Sequence, residues 1–257
     1  SFFKSLILAL VICLSTNSFA QDFQGKAYYQ TKTTIDMSQF TGGRKITPDQ
    51  MKFMEKSMKS FLEKQYTLIF NKQESIYKEE ERLEAGGSNK GWGGFASSFT
   101  GGPKYKNVKS KEVIQDQEFF GKQFLIKEEM KPLDWKMGTE TKQIGNYTCF
   151  KATASIPSAD LSWFNFSWDD LRAEQNTAEI QMTEIVAWYS PQIPVSQGPM
   201  EYTGLPGLIL EVSVGNTTML CSEIIINPKD KIKIEAPDKG KVVAKLEYKE
   251  IITGKMQ

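Results

Sequence analysis

Any hydrolytic chemistry in this chain would have to start from its acidic side chains, because it contains no histidine. Without an imidazole there is no Ser-His-Asp or Cys-His relay and no His-ligated metal. The carboxyl runs on offer are Glu79-Glu80-Glu81, Glu128-Glu129 and Asp169-Asp170. General acid–base work needs two carboxyls aimed at one bond from defined distances. Adjacent residues of a strand point to opposite faces, so the first two runs do not converge on one substrate atom. Charged strand faces explain them more simply. Beyond the N-terminal segment the only thiols are Cys149 and Cys221, too few for a Cys-based zinc site. Met51, Met54 and Met58 carry the soft sulfur that copper(I) favours. Together with Phe61 and Leu62, however, they recur at helical spacing and read as one core-facing stripe. The Gly- and Ser-rich stretch 85–103 lacks the Gly-Lys-Ser or Gly-Lys-Thr of a phosphate-cradling loop. With no catalytic, cofactor or metal constellation in view, the expectation is a protein that is not an enzyme.

The elements around these residues begin with an export signal. Lys4 is followed by an apolar run from Leu6 to Leu14, and Ser18 and Ala20 supply the small side chains a signal peptidase needs before its cut. The run is shorter than the ~20 residues of a membrane-spanning helix. Leu10-Val11-Ile12-Cys13 faintly resembles a lipobox, but Ile12 stands where a small residue belongs. Cleavage after Ala20 would leave a single mature domain, residues 21–257, in the periplasm. Residues 1–20 hold one lysine and no acid, so the remaining 31 basic residues equal the 31 acidic ones. Nucleic-acid binders carry a basic excess or stripe, and here Lys and Glu interleave. No later apolar stretch is long enough to cross a membrane.

Most of the mature chain reads as strands with short turns. Val242, Ala244, Leu246 and Tyr248 alternate with polar residues over 241–251, and Ile232 and Ile234 do so just upstream. Tyr66, Leu68 and Phe70 alternate likewise, the habit of antiparallel sheet with one buried face. Asn71-Lys72-Gln73 and Gly215-Asn216 look like hairpin connections. Thr47-Pro48-Asp49-Gln50 has the form of a capping box opening a helix, the one bearing the methionine stripe. A second helix is expected over 158–176, amid Trp163, Phe164, Phe166 and Trp168. The stretch 85–103, with Trp92, Phe95 and Phe99, reads as a surface loop. The predicted fold is mainly β (α+β): a strongly curved antiparallel sheet or half-barrel packed with one or two helices, the Met-bearing one on its concave side. A two-sheet sandwich is the alternative.

The most unusual stretch runs from Trp188 to Leu210. Pro191, Pro194, Pro199 and Pro206 each lock φ and lack an N–H, so neither a helix nor a central strand fits there, and the chain should run extended. Leu205-Pro206-Gly207-Leu208 suits a type II turn with Gly207 at positive φ. Gly204 would leave room for a close backbone approach. Gly204 to Ile209 spells Gly-Leu-Pro-Gly-Leu-Ile. In order before it come Glu140-Thr141-Lys142, Tyr147-Thr148-Cys149, Lys151-Ala152, Ala187-Trp188-Tyr189, Ile193-Pro194 and Gly198-Pro199. On these residues the chain resembles the GLPGLI family, exported proteins of the Bacteroidetes, over about residues 135–225. It departs in having Gly145-Asn146-Tyr147 where a single glycine is common, and in the insertion-like stretch 158–176.

The resemblance implies a secreted protein, often encoded beside TonB-dependent outer-membrane receptors. The expected function is a non-catalytic periplasmic binding or accessory protein acting at the outer membrane, with such a receptor or an envelope assembly complex. A half-barrel carrier of an apolar, lipid-like ligand is the alternative, and a hydrolase without histidine comes third. The residues expected to meet a partner or ligand are Trp188, Tyr189, Pro191, Ile193, Pro194, Gly204, Leu205, Pro206 and Gly207. The strand contexts matched to the family also suggest that Cys149 and Cys221 lie on neighbouring strands and bridge in an oxidising compartment.

Overall fold

The computed structural model describes residues 23–34, 47–50, 52, 63–80, 101–157, 182–230 and 232–256. The Met stripe at 51–62, the Gly-rich loop up to residue 100 and the aromatic stretch 158–176 lie outside the described residues.

The described residues form a mainly β fold, one open and curved sheet of twelve strands. In chain order the strands are β1 (Gln24–Thr33), β2 (Glu63–Asn71), β3 (Glu74–Glu79), β4 (Lys104–Asn107), β5 (Glu112–Phe119) and β6 (Lys122–Glu129). They continue with β7 (Lys136–Ile144), β8 (Tyr147–Pro157), β9 (Met182–Ser190), β10 (Leu208–Val214), β11 (Thr217–Ile226) and β12 (Lys241–Val243). Helix α1 (Lys245–Met256) follows. Across the sheet the order is β12-β6-β5-β4-β3-β2-β1-β11-β10-β9-β8-β7. Ten of these neighbours pair antiparallel, and β12 runs parallel to β6.

The alternation visible in the sequence sets the inner face. Ala27 and Tyr29 on β1 stand beside Leu68 and Tyr66 on β2, all buried. The β2–β3 hairpin closes where expected: the Asn71 side-chain oxygen accepts the N–H groups of Gln73 and Glu74 at 2.7 and 2.6 Å. Gly215-Asn216 joins β10 to β11, with Val214 opposite Thr217. The capping box also forms, since the Thr47 N–H donates to Gln50 Oε1 at 3.0 Å and the Gln50 N–H to Thr47 Oγ1 at 3.3 Å.

The C-terminal stretch departs from its expected strand. Only Lys241–Val243 pairs in the sheet, and Lys245–Met256 is helix. Residues 232–239, including Ile232 and Ile234, form no strand. The alternating positions compete with a second period: Tyr248 and Ile252 lie four apart, with Ile251 between, and this set packs on Phe119, Phe124 and Ile126. The Tyr248 N–H donates to the Ala244 carbonyl at 2.9 Å. Val242 and Leu246, which carried the strand pattern, are 58% and 69% exposed. Lys, Leu and Glu are good helix formers, and burying one 3.6-period stripe wins over a strand that would add a single edge.

Candidate functional site

Between β9 and β10 the chain turns inward and fills the half-barrel as a plug, residues 191–207. Its side chains divide. Ile193, Val195, Met200, Tyr202 and Leu205 are buried among the inner-face residues of β1, β2, β9 and β10. Pro191, Gln192, Pro194, Gly204 and Pro206 face solvent. The expected extended presenting segment is therefore an anchored loop with an exposed rim. Prolines cannot donate to a ladder, and several of the other N–H groups find acceptors inside the loop. Val195 donates to the Ile193 carbonyl at 2.8 Å and Tyr202 to the Pro199 carbonyl at 3.1 Å, while Leu208 and Ile209 of β10 donate back to the Ile193 and Gln197 carbonyls, both at 3.0 Å.

The two glycines of Gly-Leu-Pro-Gly-Leu-Ile exchange their expected roles. Gly204 is the one at positive φ, +94°. Gly207 has no positive φ and serves close approach instead: a Cβ there would sit 2.3 Å from the Ser190 carbonyl oxygen. Where Leu208 enters β10 opposite Ser190, the returning chain is pressed against the strand it pairs with.

Side chains from distant parts of the chain hold the plug and the start of β10. Lys106 on β4 is completely buried, and its ammonium donates to the Gly198 carbonyl at 2.6 Å and the Tyr202 carbonyl at 3.3 Å. Burial pulls this lysine down to about 7, with Lys104 adding to the fall and Glu201 opposing it. Trp135 Nε1 donates to Thr203 O at 2.8 Å, the Tyr29 hydroxyl to Ile209 O at 2.6 Å, and Ser75 Oγ to Gln197 Oε1 at 2.8 Å. Sequence reading missed these residues. Lys104-Tyr105-Lys106 looks like a solvated charged strand, and only a pairing partner far along the chain reveals its buried face.

A cavity of about 220 Å³ lies at the seam between the plug and α1. Lys104, Lys131 and Lys245 line it together with Glu128, Glu129 and Glu201. Its apolar wall comes from Val113, Ile126, Leu133 and Ile156. Lys104 Nζ lies 2.7 Å from Glu201 Oε2, the lysine side chain 9% exposed and the glutamate 31%. Burial alone would raise the Glu201 carboxyl. The charge and hydrogen bond of Lys104, with Lys245 behind, outweigh it and hold the group below the usual carboxylate range. Glu128 Oε1 accepts the backbone N–H of Lys245 at 2.6 Å, satisfying one orphan donor of α1.

Trp188 is half-buried on β9, with the Lys142 ammonium 4.3 Å from its ring centre and Lys142 paired with Glu211 at 2.7 Å. Tyr189 is buried and pairs with Phe150 and Ile209 across the sheet, so it is core and not surface. Cys149 and Cys221 are not on neighbouring strands: Cys149 is on β8, Cys221 on β11, and β9 and β10 lie between. Three strand spacings of about 4.8 Å exceed the roughly 7 Å that a bridge allows. Both are buried free thiols, pushed up by burial to about 11 and about 12. Among the described residues, no helix is long and apolar enough to cross a membrane.

A family model described as "Protein of unknown function (Porph_ging)" matches residues 135–211. That stretch is β7, β8, β9, the plug and the start of β10, so the match falls on the plug and the strands beside it. No curated protein matches the chain. Among solved structures, "Structure of PNGF-II in C2 space group" is 16% identical with a TM-score of 0.51, covering 90% of this chain and 32% of that one. At that identity the likeness is one of fold. The P21 form of PNGF-II gives 17% identity and a TM-score of 0.48, with 89% of this chain and 33% of that one covered. "Crystal structure of LprF from Mycobacterium bovis" gives 8% and 0.30, with 84% and 90% covered. The chain spans about a third of the length of the PNGF-II chains it matches.

Proposed function

We propose that this is a non-catalytic, exported binding or accessory protein acting at the outer membrane, and that it meets a partner protein through the exposed rim of the plug. The observation that carries the reading is the division within 191–207. Ile193, Val195 and Leu205 are 1–3% exposed, while Pro191, Gln192, Pro194, Gly204 and Pro206 face solvent between them. A rim pinned on both sides by buried anchors loses little conformational freedom on binding. Half-buried Trp188 adds amphipathic area close by. We read the GLPGLI resemblance and the Porph_ging match as one family signal, since both take in this segment, and the export signal at 1–20 as its route to the periplasm. The absence of histidine and the raised thiols support a non-catalytic role. A carrier of apolar ligands is the weaker reading: carriers offer mostly apolar cavities of ~300–1,000 Å³, and the seam cavity among the described residues is smaller and carries six charged side chains.

The test is a triple substitution of the rim, Pro191→Ser, Gln192→Ala and Pro194→Ser; the proline changes are surface changes and mild, and losing the Thr148 N–H bond to Gln192 Oε1 should cost about 1 kcal/mol more. Cross-linked affinity purification from the native envelope should recover a membrane-associated protein with the unaltered chain and lose it with the triple variant. Retention of every co-purifying protein by a folded triple variant would remove the rim as the contact. A stoichiometric lipid in the purified chain would favour the carrier.

A further inference from the structure

The seam cavity has a chemistry that partner binding does not use. Its three lysines and three glutamates balance, so a strongly anionic guest such as phosphate would gain the lysines but meet uncompensated carboxylates. A polyamine would face the reverse. Like charges forced together in a partly desolvated site cost more than the matched contacts return. A guest carrying one charge of each sign leaves the balance intact. We propose that this cavity binds a small zwitterion, an aliphatic or aromatic amino acid or a dipeptide, with its carboxylate on Lys104 and Lys245 and its ammonium on Glu201 and Glu128.

Lys104 has donors to spare. An ammonium offers three donors, and the nearly buried Lys104 uses one of them on Glu201. Glu128 gives one oxygen to the N–H of Lys245, and Glu201 gives one to Lys104. Both carboxylates line the cavity. Opposite these groups stand Val113, Ile126, Leu133 and Ile156, an apolar wall for a Leu- or Phe-like side chain. At about 220 Å³ the volume falls below that of sites for drug-sized or acyl ligands. The inference goes beyond the partner-binding reading and stands or falls without it.

Isothermal titration calorimetry on the full chain, with leucine, phenylalanine and leucyl-leucine as probes, tests the idea. N-acetyl-leucine and leucinamide each lack one of the two charges. The zwitterions should saturate, and each blocked form should bind roughly tenfold more weakly or worse, the effect of losing one charge-assisted hydrogen bond. Glu201→Gln should weaken leucine about tenfold and N-acetyl-leucine by clearly less. Because that substitution also loosens the Lys104 pair, Ile156→Trp provides a second variant that fills the cavity and should abolish binding with the thermal midpoint intact. No saturation with any zwitterion up to roughly 10 mM, equal binding of the blocked forms, or unaltered leucine binding by folded Ile156→Trp would each overturn the proposal.

Discussion

Where β1–β3 and β8–β11 curve, the inner face is filled by irregular chain; where β5, β6 and β12 curve, it is covered by α1. The two solutions place different demands on the sequence. A helix satisfies its own backbone, so α1 needs only Tyr248, Ile251 and Ile252 against Phe119, Phe124, Ile126 and Val243. The plug buries carbonyls that no regular ladder reaches, and buried backbone groups must be paired. It therefore depends on donors from distant parts of the chain: Lys106 for Gly198 and Tyr202, and Trp135 for Thr203. The helical end is held by packing that tolerates small changes, and the plug by specific partners and close backbone contact that tolerate few. The charged cavity sits at the seam because neither filler covers the sheet there.

The largest expected effect breaks the plug at its tightest contact. Gly207→Ala places a methyl group 2.3 Å from the Ser190 carbonyl oxygen, where only backbone can yield. Urea unfolding should show a loss of about 3 kcal/mol or more. Gly204→Ala, at φ +94° but meeting nothing closer than the Trp135 ring at 3.5 Å, should lose about 1–2 kcal/mol from backbone strain alone. If the two rank in the opposite order, close approach is not what Gly207 provides.

Next is the helical end. Ile252→Ala should destabilise by about 2–4 kcal/mol through the cavity it leaves. Amide exchange should quicken in α1 and β12 while β9 and β10 keep their protection. Equal loss of protection at both ends would mean that plug and helix form one cooperative unit.

The smallest effect is the most specific. The folded value of Lys106, about 7, lies below the ordinary 10.5 of a lysine. Between these values the unfolded chain binds a proton that the folded chain has released, so stability rises with pH across that window. Below about 7 both states are charged and this contribution is absent. Above 10 the buried phenols Tyr66 and Tyr77, raised chiefly by desolvation, stay protonated only in the folded chain, and stability falls again. Urea midpoints at pH 7 and pH 9 should therefore rise for the unaltered protein and stay flat for Lys106→Met. At pH 9 the variant should be about 1–3 kcal/mol less stable, because the Gly198 and Tyr202 carbonyls lose their donor. A flat profile for the unaltered chain would show that the lysine is not desolvated.

The alternation of Tyr66, Leu68 and Phe70, the hairpins at 71–73 and 215–216, and the capping box at Thr47 and Gln50 all stand as read from local pattern. Each depends on neighbours within a few residues, where side-chain direction and turn geometry are local physics. The same kind of pattern failed at 241–251, because those residues satisfy two periods and the apolar partners that choose between them, Phe119 and Phe124, are over a hundred residues away. The candidate site was half legible. Prolines marked 191–206 as neither helix nor central strand, but which of Ile193, Pro194 and Leu205 face inward follows from the curvature of a sheet assembled from both ends of the chain.

Composition and local spacing alone determined the β-rich class, the turn positions and the missing imidazole chemistry, since these depend on residue types and near neighbours. The burial of Lys106, the separation of Cys149 from Cys221, the exchanged roles of Gly204 and Gly207, and the charged seam were decided by tertiary structure. Each of them is a relation between residues far apart in the chain, and its energy exists only after the strand order 11-10-9-8 and the plug have brought those residues together.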